Sequence, residues 1–207
     1  MKYSISVLAL VVSLFVAGVP TLTASTVLYD NGPYNGTTDA YTINNGWLVS
    51  NGFTTSGGTA TGANFVVWAF SGDTLTSVDW AFGSTPGGTE YASGTASATL
   101  ISDFGGNGIG YDLQSYGISF LDVPLLAGTT YWLSLSNAAV PNGDYIYWDE
   151  NDGPATGWQN NDSGYLSGSE AFQITGGSSP IPEPASFGLM GLGLVGMAGL
   201  IRRRISA

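Results

Sequence analysis

Apolar and polar residues alternate in short runs through the middle of the chain, with a period of two. Val78, Trp80 and Phe82 alternate with Ser77, Asp79 and Ala81, and Tyr131, Leu133 and Leu135 alternate with Trp132, Ser134 and Ser136. That period is the pattern of a half-buried β-strand. The run Asn64–Phe70, NFVVWAF, is apolar on both faces and predicts a central strand. Further strands are expected at Val27–Tyr29, Trp47–Val49, Thr95–Ile101, Gly117–Leu121, Tyr145–Trp148 and Ala171–Thr175. Asn-Gly pairs at 31, 35, 45, 51, 107 and 142 supply the positive φ angles that tight turns need. No stretch of the body keeps a 3.6-residue period over three turns, and no repeat of fixed length appears. About nine or ten strands without βα alternation predict an all-β fold, an antiparallel β-sandwich of jelly-roll type.

The two ends break this pattern. Met1-Lys2-Tyr3 leads into an apolar run from Ile5 to Val19, and small residues follow at Thr23-Ala24-Ser25. That order predicts a signal peptide over 1–24, cleaved after Ala24 or Ser25. At the other end, 185–201 holds one serine and no charge. As a helix it would reach about 25 Å at 1.5 Å per residue, the lower limit for crossing the hydrocarbon core. Arg202, Arg203 and Arg204 follow, and by the positive-inside rule they keep 202–207 in the cytoplasm and the body outside. A Gly/Ser/Pro linker over 176–184 separates this single transmembrane segment from the body, 25–175.

Pro182-Glu183-Pro184, then a short apolar segment, then Arg202–Arg204 at the extreme end, resembles the tail of PEP-CTERM sorting-domain proteins, which bacteria export. The same tail signature is also described as an ice-binding protein C-terminal domain, a label that says nothing about the body. The resemblance implies an exosortase as processing partner and a temporary hold in the inner membrane. It further implies delivery to the cell surface or an exopolysaccharide matrix. Pro182, Glu183, Pro184 and the three arginines are the residues of that signal. The phrases VLYDNGP (27–33) and VPNGDYIYWDEN (140–151) are similar to stretches of ectodomains that precede such tails, and they imply no activity.

Charge narrows the body's chemistry. The four basic residues are Lys2 and the three terminal arginines, so fourteen carboxylates between Ser25 and Pro182 meet no cation. Such a domain repels nucleic acid and anionic membranes. With no Cys and no His, thiolate chemistry, serine triads and the usual transition-metal ligands are absent. Six tryptophans, eleven tyrosines and nine phenylalanines argue against disorder.

The densest polar and aromatic cluster is Asp144–Asp162, DYIYWDENDGPATGWQNND. Flat rings stack on the C–H face of a sugar while carboxamides bond its hydroxyls. Tyr147, Trp148 and Trp158 are the candidate platform, with Gln159 and Asn160 as hydrogen-bonding partners. Asp149, Asn151 and Asp152 are candidate calcium ligands, although their spacing is not that of an EF-hand loop. Otherwise no cofactor is expected. The expected function is a non-catalytic surface or matrix protein in contact with glycan. The alternative is a carboxylate-dependent carbohydrate-active enzyme, for which Glu90, Glu150 and Glu170 are the only glutamates in the body. Two carboxyls facing each other in a groove would favour the enzyme.

Overall fold

The computed structural model describes residues 25–160 and 164–177. The signal peptide, the PEP-CTERM-like tail and its apolar segment lie outside the described residues. Fourteen strands and no helix make up the described chain: Thr26–Asp30 (β1), Ala40–Thr42 (β2), Leu48–Thr54 (β3), Gly58–Ala69 (β4), Ser77–Gly83 (β5), Ala92–Ser97 (β6) and Thr99–Gly106 (β7); then Asp112–Leu125 (β8), Thr130–Ala139 (β9), Tyr147–Asn151 (β10), Thr156–Gln159 (β11), Gly164–Tyr165 (β12), Ser169–Glu170 (β13) and Phe172–Gly177 (β14).

They form two antiparallel sheets packed as a sandwich. One has eight strands in the order β1-β14-β4-β10-β13, with β8 and then β7 on the other flank of β4 and with β2 beside β10. The other has six, in the order β12-β11-β3-β9-β5-β6. The expected alternations point as read. Val78, Trp80 and Phe82 of β5 and Tyr131, Leu133 and Leu135 of β9 enter the core between the sheets. Phe65 and Val67 of β4, Tyr116 and Ile118 of β8, Trp148 of β10 and Phe172 of β14 meet them from the opposite side.

Strand β4 is central because it is apolar on both faces. Val66 and Trp68 form a second buried cluster with Leu113 and Ala171 on the outer side of the eight-stranded sheet. The loop between β1 and β2 covers part of that side: a Cβ on Gly36, whose φ is +76°, would run into the Leu113 side chain. One expected turn is not a turn. Asn51-Gly52 lies inside β3, paired with Leu133 and Trp132 of β9. The missing Cβ of Gly52 leaves the space that the Trp132 indole fills. At 45–46 the pair behaves as expected, with φ of 53° at Asn45 and 90° at Gly46.

Candidate functional site

Strand β10 divides the residues expected to act together. Its side chains alternate across the sheet, so Trp148 and Glu150 point between the sheets while Tyr147, Asp149 and Asn151 point outward. Trp148 is fully buried, lies edge-on to Phe65 and Phe172, and donates its indole N–H to the carbonyl of Ala171 at 3.0 Å. It is a core residue and cannot serve as a sugar platform. Trp158 and Gln159 belong to β11 in the other sheet, where Gln159 is buried. Asn160 clamps the start of β3: its Oδ1 accepts from the N–H of Leu48 and its Nδ2 donates to the carbonyl of Gly46. Of the five candidate glycan-binding residues, only Tyr147 stays on the outer side of the eight-stranded sheet.

There it joins aromatics that the sequence reading left out. Tyr145 stacks on Tyr147 with ring centroids 6.2 Å apart, and Tyr147 meets Tyr111 edge-on at 5.5 Å. Tyr111 in turn packs against Phe70 at 5.0 Å and Trp68 at 5.6 Å. Tyr145 is 47 % exposed and Phe70 37 %, so the strip is open to solvent at both ends. Phe70, Tyr111 and Tyr145 sit where the chain leaves β4 and enters β8 and β10. Neighbouring strand ends therefore bring residues far apart in sequence onto one line. Burial pushes the Tyr147 hydroxyl up to about 12, with smaller contributions from Tyr111, Tyr145 and Asp144. It therefore stays a neutral donor and acceptor. Asn142 and Asp144 border the strip, joined by an Asn142 Nδ2–Asp144 Oδ2 bond of 3.0 Å.

Two of the three candidate calcium ligands, Asp149 and Asn151, are engaged within the fold. Asp149 is fully buried and both of its oxygens are occupied. Oδ2 accepts from the N–H of Asn35 at 2.9 Å, and Oδ1 accepts from the N–H of Gly36 at 2.8 Å and from the indole of Trp68. Asn151 donates to the carbonyls of Asn31 and Pro33 and accepts at Oδ1 from Asn31 Nδ2. Together they tie the β1–β2 loop onto the sheet. Asp152, just past β10, is exposed. Among the described residues no three acidic or imidazole side chains converge on a point that could hold a metal. Burial raises the Asp149 carboxyl above its ordinary value, opposed by the three donors.

The inward side of β10 holds a different arrangement. Glu150 pairs directly with Glu170 across the β10–β13 ladder. Directly opposed side chains have Cβ atoms about 4.5–5.5 Å apart. Glu170 is 0 % exposed, and neither of its carboxyl oxygens has a hydrogen-bond partner. Its backbone N–H donates to Asn51 Oδ1 at 3.1 Å, while Asn51 Nδ2 is likewise without a partner. Desolvation drives the Glu170 carboxyl well above its ordinary value, partly offset by the Asn51 carboxamide, and Glu150 adds repulsion. Glu150 is raised by burial first and by Asp39 second, with the Tyr41 hydroxyl opposing. No periodicity or spacing signals this pair, because residues twenty positions apart meet only through the register of two short strands.

A profile for the PEP-CTERM protein-sorting motif matches residues 180–204. The chain carries a PEP-CTERM sorting motif. Pro182, Glu183, Pro184 and Arg202–Arg204 fall inside the matched segment, outside the described residues. The PEP-CTERM motif makes this an exported protein, held at its C-terminus in the membrane before processing, with exosortase as the processing partner. No curated protein matches the chain. The motif accounts for delivery only. The body outside the motif is the sandwich, which carries the aromatic strip on its outer side.

Proposed function

We propose that this is a non-catalytic surface or matrix protein whose sandwich holds a neutral polysaccharide along the strip Tyr145–Tyr147–Tyr111–Phe70. The observation that carries the reading is the unbroken contact of these four rings, exposed at both ends and bordered by Asn142 and Asp144. A row of rings offers successive sugar units apolar faces, and the Asp144 carboxylate accepts from their hydroxyls. Fourteen carboxylates without a cation in the body disfavour an anionic chain, so the ligand is uncharged. The non-catalytic reading is supported by the burial of the closest glutamate pair. Glu150 and Glu170 pair directly across the β10–β13 ladder and are both buried, with no exposed surface left on Glu170.

Affinity electrophoresis of the purified full chain through gels containing neutral polysaccharides tests the site. Phe70→Ala with Tyr145→Ala should weaken retardation at least tenfold, since each stacked ring contributes on the order of 1 kcal/mol. Trp158→Ala should leave it unchanged. Undiminished retardation in the double variant would exclude the strip as the site. Release is tested separately: mass spectrometry of surface-extracted protein should find a mature form ending near Pro184, and recovery of only the full chain with its arginines would contradict processing.

A further inference from the structure

Glu150 and Glu170 remain unexplained by any of this. A buried carboxylate ordinarily carries a partner, and in this body none is cationic. Both oxygens of Glu170 are fully buried and unpartnered, on a residue directly opposite Glu150 across the β10–β13 ladder. Asp39, Asp149 and Asp152 add negative charge around Glu150. Gly168 makes room for it, because a Cβ there would collide with Glu150 Oε1. The Tyr41 side chain, on β2, lies near enough to Glu150 for the two to influence each other's ionisation. Asn51, reaching in from the other sheet, fixes the β13 backbone so that the Glu170 side chain points between the sheets.

We propose that Glu150 and Glu170 form a binding site for one divalent cation of calcium type, lying between the sheets where β10 and β13 face β3. The donors are hard oxygens only. Two carboxylates can supply four oxygens, and water completes the six to eight that calcium takes. Nitrogen and sulfur ligands, which would favour zinc or copper, do not occur in the body. One Ca²⁺ neutralises the two carboxylates whenever both are ionised. The site differs from the candidate set Asp149, Asn151 and Asp152 and shares none of its residues. It stands independently of the glycan reading.

The test is thermal melting of the chelator-treated full chain at neutral pH, with CaCl₂ or with NaCl at matched ionic strength. Calcium at a hundredfold excess over Kd should raise the Tm by about 5–10 °C for a body of this size, and sodium chloride should raise it far less. Glu150→Gln and Glu170→Gln should each abolish the calcium-specific rise, while Asp152→Asn retains it. Terbium luminescence on the unaltered chain gives a second reading that does not depend on any variant folding. Bound Tb³⁺ should be displaced by calcium at one equivalent per chain. Equal shifts from both salts, a calcium response that survives in both glutamine variants, or no terbium binding would each overturn the site.

Discussion

Asp149 and Glu170 are both carboxylates with no measurable exposure, on neighbouring strands of one sheet, yet their surroundings are opposite. Asp149 faces outward, beneath a loop, and receives three N–H donors from Asn35, Gly36 and Trp68. Glu170 faces inward with neither oxygen hydrogen-bonded, and only the Asn51 carboxamide nearby to ease its charge. The first carboxylate fastens one segment of chain to another, as a buried anion with charge-assisted hydrogen bonds does. The second is a charge that the fold itself does not satisfy. Burial alone therefore tells little about a carboxylate's role. The direction it faces, and who donates to it, decide between a fastening and a binding site.

That contrast can be broken from either side, and the largest effect is expected at Asp149. Asp149→Ala strips a partner from two backbone N–H groups and one indole and loosens the β1–β2 loop. It should cost about 3–5 kcal/mol in urea unfolding. A loss below about 1 kcal/mol would mean that the loop holds without it.

Glu170→Gln should act in the reverse sense. In metal-free protein, at pH values where Glu170 is ionised, it removes a buried charge and should stabilise by roughly 1–3 kcal/mol. The sign follows from titration. The Glu170 carboxyl is raised above its ordinary 4.5 in the folded state. Its contribution to stability is therefore fully present below that ordinary value and is lost as pH rises through the folded one. Metal-free protein should thus lose stability as pH rises above 4.5, and Glu170→Gln should flatten that slope. Calcium binding, which needs both glutamates ionised, should strengthen over the same range. A slope unchanged in the variant would assign the pH dependence to other carboxylates.

The smallest effect sharpens the contrast. Asp152 lies one residue beyond β10 and is exposed, so Asp152→Asn should change stability by less than about 0.5 kcal/mol. A larger loss would bring it into one of the two networks.

Much of the fold was legible because alternation states which face is buried: β5 and β9 enter the core as their sequences read, and β4 is central as its two apolar faces require. The local signals that misled were those that tertiary contacts override. Asn51-Gly52 reads as a turn, yet Trp132 needs the space over Gly52 and the core needs Asn51. The site was legible only at Tyr147. The stretch 144–162 looked like one cluster because it is continuous in sequence. Alternation along β10 and a change of sheet before β11 send Tyr147, Trp148 and Trp158 to three different places. Conversely, Phe70 and Tyr111 join Tyr147 through strand pairing that no short motif encodes.

The central claim is that this exported sandwich meets polysaccharide on the outer side of its eight-stranded sheet. Hydrogen exchange read by mass spectrometry, with and without a neutral polysaccharide that the full chain binds, locates the contact directly. Slowed exchange should fall on the segments carrying the strip, 69–73, 108–113 and 142–148, with none over 156–160 or 164–168. Protection confined to the six-stranded sheet, or none anywhere on the sandwich, would contradict the account.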